Sequence, residues 1–130
     1  MPDPADLLHL SRRERQIMDV IYRRGSASAA EVREALDDAP TTTTIRGLLR
    51  ILEEKGHVRH ERDGPRFVYR PAVTREAAAA HVLPHVVRTF FGGSPARAMA
   101  ALLGRDDGTV SDAELDRLGA LLDQARKRPQ

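Results

Sequence analysis

Thr41-Thr42-Thr43-Thr44-Ile45-Arg46-Gly47-Leu48-Leu49-Arg50-Ile51-Leu52-Glu53-Glu54-Lys55-Gly56 reads as a single amphipathic helix over about 42–55. Ile45, Leu48, Leu49 and Leu52 recur at helical spacing and make one apolar face. Arg46, Gly47 and Arg50 fall on the opposite, wet face. An early Thr is placed to cap the start, and Gly56 is placed to take the left-handed conformation that ends a helix. Two helices precede it, the second of them short. Ser11-Arg12-Arg13-Glu14 and Ser28-Ala29-Ala30-Glu31 are both capping-box spacings, in which Ser caps a free backbone N–H and Glu three residues on reaches back. Ile17, Val20 and Ile21 follow the first, up to Gly25. Val32, Ala35 and Leu36 follow the second, up to a break over Asp37 to Pro40.

After Gly56 the period changes from helix to strand. Val58-Arg59-His60-Glu61-Arg62 and Arg66-Phe67-Val68-Tyr69-Arg70 flank the turn residues Asp63-Gly64-Pro65. Three helices and then a basic hairpin (58–70) is the order of a winged helix-turn-helix. The fold class expected is mainly α with a small β-wing, completed by a C-terminal helical dimerisation domain. In such a fold the third helix enters the major groove of DNA with its N-terminal residues facing base edges. Thr42, Thr43 and Thr44 then offer hydroxyls to phosphates or bases, at a helix N-terminus that itself favours phosphate. Arg46 is placed for a bidentate contact to guanine, and Arg50, a turn later, for backbone phosphate. Gly47 lets the helix backbone come close, and Arg62 and Arg66 at the wing tip suit the flanking minor groove or its phosphates. Each feature has a plainer reading alone: a Thr run as a cap, the two arginines as a solvated face, a basic hairpin tip as protection of an exposed edge. All of them lie on the two elements that such a fold inserts into DNA, and the combination is what points to double-stranded DNA.

The charge distribution agrees. The chain has 130 residues and a formal net charge of only +2. Between Thr41 and Arg75, eight basic residues face four acidic ones, leaving +4 in that stretch and −2 in the rest. A near-neutral protein with one basic stretch suggests a surface that meets a polyanion. Arginine outnumbers lysine 19 to 2; the plain reading is GC-rich codon usage, the functional one a planar fork for phosphates and guanine edges, and position rather than count decides between them. Cysteine is absent, which excludes disulfides, thiol nucleophiles and thiolate metal sites. No apolar run has the length of a membrane span and the N-terminus lacks a signal-peptide pattern, so a cytoplasmic protein is expected. No nucleophile elbow, Walker or dinucleotide motif is present, so no catalytic residue, cofactor or enzyme activity is expected. His60-Glu61 begins a zinc-protease pattern, but Gly64 stands where the second His belongs. His81 and His85 share a helix face, but Pro84 lies between them and there is no third ligand, so no metal is expected. His57 and His60 are read as solvated strand residues near the wing, with phosphate contact or pH sensitivity as the alternative.

The sequence resembles the penicillinase-repressor (BlaI/MecI/CopY) family of bacterial transcriptional repressors. The matching residues are Leu10-Ser11 with Glu14, Ile17 and Met18, then Ala29, Glu31 and Val32. Pro40, Thr44-Ile45-Arg46, Leu48-Leu49, Leu52 and Lys55-Gly56 follow, and the wing exits through Tyr69-Arg70-Pro71. Phe91-Gly92-Gly93-Ser94 and Ser111 to Leu122 extend the match through the second half. The first-half pattern is the specific part. The resemblance implies a non-enzymatic repressor that binds operators as a homodimer. A winged-helix module that binds protein instead of DNA is the alternative reading.

Two domains are expected, a winged helix over 1–73 and a dimerisation domain over 74–130. In the second, Thr74 opens a helix to about Phe91, which Pro84 is expected to kink or split. Ser94-Pro95 opens a short helix ending at Gly104. Ser111-Asp112-Ala113-Glu114 is a third capping-box spacing, and the tail from Arg126 is expected to fray. The piece is small for a core of its own yet rich in apolar residues. Val86, Phe90, Phe91, Leu102, Leu115, Leu118 and Leu122 are the candidates for an intertwined dimer interface. A two-fold pair would read a palindrome. For the inducing signal, the family implies two routes. Copper-responsive members use C-terminal cysteines, which this chain lacks. β-Lactam-responsive members are cut at an Asn-Phe bond by a sensor protease; Ala100-Ala101 stands at the matching place, so the Asn-Phe site does not support a sensor-protease partner, and cleavage elsewhere by a different protease is the alternative.

Overall fold

A computed structural model describes residues 4–129. A 3₁₀ turn (Pro4–His9) leads into α1 (Arg12–Arg24), followed by β1 (Ala27–Ser28), α2 (Ala29–Ala35), α3 (Thr42–Glu54), β2 (Val58–Asp63), β3 (Arg66–Pro71), α4 (Arg75–Phe91), α5 (Pro95–Leu103) and α6 (Asp112–Lys127). The chain divides into two compact units, Met1–Val86 and Val87–Gln130.

The first unit is a winged helix-turn-helix. Both expected capping boxes form in full. The Ser11 hydroxyl accepts from the Glu14 N–H at 3.1 Å while the Glu14 carboxylate accepts from the Ser11 N–H at 2.9 Å. Ser28 and Glu31 repeat this at 3.2 and 2.9 Å. Gly25 ends α1 in the left-handed region at φ +83°. The turn from α2 to α3 passes through Asp38 at φ +51°, a conformation Asp tolerates better than most side chains. Arg13 and Arg33 hold that turn by donating to the carbonyls of Asp38 and Pro40. Ile17, Ile21, Val32, Ile45, Leu49 and Leu52 are fully buried and belong to one core shared by α1, α2, α3 and the sheet. Burying each such side chain stabilises the unit by about 1.5–3 kcal/mol. The apolar face of the 41–56 stretch is therefore what fixes α3 in place and turns its arginine face outward.

The wing is an antiparallel pair, β2 on β3, with Asp63 opposite Arg66 across a Gly64-Pro65 loop. Gly64 has the positive φ (+63°) that a type II′ hairpin turn asks of its first central residue. A third strand, unforeseen from the sequence, completes the sheet in the order β1-β3-β2. Ala27 pairs with Tyr69 and Ser28 with Val68, so β1 ties the wing's inner strand to the start of α2. His57 corrects the expectation of a solvated residue: it is buried, because Gly56 at φ +84° turns the chain inward ahead of β2.

In α4 the Thr74 hydroxyl accepts from the Ala77 N–H at 3.1 Å, capping the start. The helix then runs to Phe91 as one element with Pro84 inside it, so of the two expected outcomes, a kink or a split, the split does not occur. The second unit carries α5 and α6. Ser94 caps α5 as expected, with Pro95 at its first position. At α6 only half of the third box forms: the Ser111 hydroxyl accepts from Glu114 N–H, without the reciprocal bond. α6 continues through Lys127, beyond the expected onset of fraying, and Gln130 lies outside the described residues. Among the described residues of this unit none is buried.

Candidate nucleic-acid interface

The first unit presents a groove of about 930 Å³ between α3 and the wing. Its helix wall is Thr43, Arg46, Gly47, Arg50 and Glu53; its wing wall includes His60, Arg66, Phe67 and Tyr69. The two walls come from the elements that sequence reading singled out. α3 supplies its wall because Ile45, Leu49 and Leu52 are buried on its other side. Strand alternation puts His60, Phe67 and Tyr69, with Arg62, on the sheet face that meets the groove; Arg66, which shares the other face with Glu61, Asp63 and Val68, reaches the groove from the hairpin end.

The expected contact residues fall into distinct settings. Arg46 and Arg50 are exposed, and among the described residues no carboxylate pairs with either. Gly47 lies between them, and a Cβ there would meet open space. Of the threonines, Thr43 lines the groove. The Thr44 hydroxyl instead sits 3.1 Å from that of Thr41, which caps the helix by accepting from the Thr44 N–H. Thr42 is half-buried and does not line the groove.

Arg62 and Arg66 are close in sequence but differently held. The Arg62 guanidinium lies 5.8 Å from the centre of the Phe67 ring. Arg66 is engaged by Asp63 at 3.1 Å and Glu31 at 3.5 Å. Glu31 also pairs with Arg24 at 2.6 Å. Its carboxyl is held below the usual range, first by the Ser28 N–H and hydroxyl and then by the two guanidiniums. Arg66 therefore reaches a phosphate only by exchanging these carboxylates, whereas Arg46 and Arg50 are free to meet one directly.

Three further residues shape the site and were not singled out for it from sequence. Phe67 is 45% exposed on the groove wall, an apolar ring among guanidiniums. Glu53, in the last turn of α3, accepts from the backbone N–H of His60 at 3.0 Å and lies 2.6 Å from its ring Nδ1. Lys55, just beyond α3, donates to Glu14 at 3.0 Å. Burial alone would push the Glu14 carboxyl up, but the Ser11 and Lys55 bonds outweigh it and hold it below the ordinary value. The glutamate that caps α1 thus also anchors the end of α3. Only Phe67 carried a sequence signal, as a large apolar residue on the outward side of a polar hairpin.

Among the described residues there is no group of three or more His, Cys, Asp or Glu placed to hold a metal ion. The rings of His81 and His85 stand 6.1 Å apart on α4. Among the described residues no helix is long and apolar enough to cross a membrane.

Comparison with known proteins places the chain. It is similar to the LexA repressor of Frankia alni, with 34% identity over 106 residues that cover 74% of this chain; the chain spans only 40% of that protein's length. It is also similar to the solution structure of the DNA-binding domain of the repressor BlaI, at 31% identity and a TM-score of 0.46 over 51% of this chain and 83% of that one. A family model described as penicillinase repressor matches residues 10–124, across both the winged helix and the helices that follow. The chain belongs to the penicillinase repressor family, a family of transcriptional repressors and not of enzymes.

Proposed function

We propose that this chain is a cytoplasmic homodimeric repressor that binds a palindromic operator, with residues 1–73 reading DNA and residues 74–130 joining the two copies. The observation that carries the reading is the groove in which Arg46, Gly47 and Arg50 on α3 face Phe67 and Arg66 on the wing. α3 enters the major groove, with Arg46 reading guanine and Arg50 on phosphate. Thr42, Thr43 and Thr44 lie at the entering end, with Thr43 best placed for contact. Arg62 and Arg66 grip the flanking phosphates or minor groove from the wing. Bound there, the protein occludes promoter DNA.

The helices from the second half of α4 onward support dimerisation by what they leave uncovered. Phe90 is 73% exposed, Leu102 52%, Leu115 46% and Leu122 51%, and Val86, Phe91 and Leu118 are only half-covered. Soluble proteins rarely leave so many large apolar side chains bare unless something covers them. A second copy supplies a matching surface, and a two-fold pair sets two α3 helices on half-sites about 34 Å, or a multiple, apart.

The test is a gel shift on the DNA upstream of its own gene with salt varied. If a dimer neutralises about six phosphates, log K falls with log salt at a slope of about −5. A flat salt dependence would instead favour a protein-binding winged helix.

A further inference from the structure

The DNA-binding reading leaves Glu53 unexplained, since a carboxylate in a groove meant for phosphates repels its ligand. Its contacts suggest a role. β2 is the outer strand of the sheet, and the His60 N–H that faces away from β3 is taken up by the Glu53 carboxylate at 3.0 Å. The same carboxylate holds the ring Nδ1 of His60 at 2.6 and 2.7 Å. Behind it the ring packs on Phe67 at 4.7 Å and Tyr69 at 5.9 Å. One side chain of the recognition helix therefore grips the wing at two points, and through His60 it sets the position of Phe67 on the opposite wall.

Resting on the DNA-binding reading, we propose that Glu53 and His60 are positioning residues for DNA, a clasp between recognition helix and wing that tightens when His60 takes up a proton. With a neutral imidazole the pair carries one negative charge into the groove. With an imidazolium it is a salt bridge of zero net charge, and both ring and backbone N–H groups bind the carboxylate more strongly. The other charged or titratable groups around it are Arg46 and Arg50 from α3, Arg62 from β2 and the Tyr69 phenol from β3 on its own sheet face, and Arg66, which reaches the groove from the hairpin end with Asp63 and Glu31 as its partners. Burial keeps the phenol protonated, with Glu53 acting in the same sense and Arg46 against it. Docked phosphates add negative charge to the groove, which favours the neutral imidazolium–carboxylate pair over the pair that carries a net negative charge. DNA binding and proton uptake are then linked, and by reciprocity affinity rises as pH falls through the range where histidine titrates, about pH 5 to 8.

The experiment measures affinity of the full-length protein for a labelled duplex of the DNA upstream of its own gene, at fixed salt, from about pH 8 to pH 6. Wild-type affinity is expected to rise about three- to tenfold per subunit as pH falls, at most one proton being taken up by each. His60→Gln and Glu53→Gln each bind with a flat profile, and the double variant binds no worse than either single one. Both side chains are on the surface, and circular dichroism across the range confirms that the variants stay folded. A His60→Gln profile as steep as the wild type, or wild-type affinity that falls with falling pH, overturns the clasp while leaving DNA binding intact. Absence of salt-dependent binding to any duplex overturns both.

Discussion

Arg46 and Gly47 are adjacent on α3, and together they separate two meanings of a basic helix. If Arg46 reads a guanine, Arg46→Ala weakens operator binding by about 1–3 kcal/mol and relaxes preference at one base pair per half-site. Equal loss on operator and random DNA would make it a phosphate contact only. Gly47 offers a sharper contrast, because its effects on fold and on binding have opposite signs. A methyl group there meets nothing in the protein, and glycine in a helix interior is worse than alanine by about 0.5–1 kcal/mol. Gly47→Ala is therefore expected to raise thermal stability while lowering DNA affinity, since the added Cβ occupies the floor of the groove. A variant that is stabilised and binds DNA as before would show that the helix does not approach that closely.

The junction of α3 with β2 shows how much of these elements could be read in advance. Both capping boxes and the α3 apolar face were legible because cap and helix period are local in sequence. The wing was legible from alternation about a Gly-Pro turn. β1 was not, since two residues carry no alternation and one of them, Ser28, doubles as the cap of α2. Nor were the Lys55–Glu14 and Glu53–His60 contacts, which join residues from different elements and exist only once α1, α3 and β2 are packed together. Thr42, Thr43 and Thr44 looked equivalent, yet cap geometry turns the Thr44 hydroxyl to Thr41 and Thr43 to the groove. His57 looked like a strand residue and is buried at this junction, with no hydrogen-bond partner for its Nε2 among the described residues. Burial holds its imidazole below the ordinary histidine value; Asp6 opposes this, Lys55 adds to it, and Glu14 opposes it again. The unfolded chain thus binds the proton more readily than the folded one. Stability is full above about pH 6.5 and is lost as pH falls below that toward the lower folded value. Thermal melts of His57→Leu are expected to lack this slope, and a slope equal to the wild type's would contradict the assignment. The loss from protonating Glu14 belongs to a lower range, below pH 4.5.

For the molecule as a whole, the contrast between the units is the informative feature. The first buries a contiguous core, and the second has no buried side chain among its described residues. The apolar residues of α4, α5 and α6 were legible as an excess over what so short a piece can bury, which is what a shared core requires. Replacing Leu118 and Leu122 together by Asp is expected to give monomers in analytical ultracentrifugation, with half-site affinity retained but operator affinity greatly reduced. A double variant that sediments as a dimer would move the interface elsewhere. The claim on which the rest depends is that the groove between α3 and the wing receives the duplex. It is tested most directly by mapping backbone amide NMR shifts as a duplex of the DNA upstream of its own gene is added. The largest shifts are expected on Thr43, Arg46, Gly47, Arg50 and Phe67. Shifts that spare these residues and collect on another face of the first unit would contradict it.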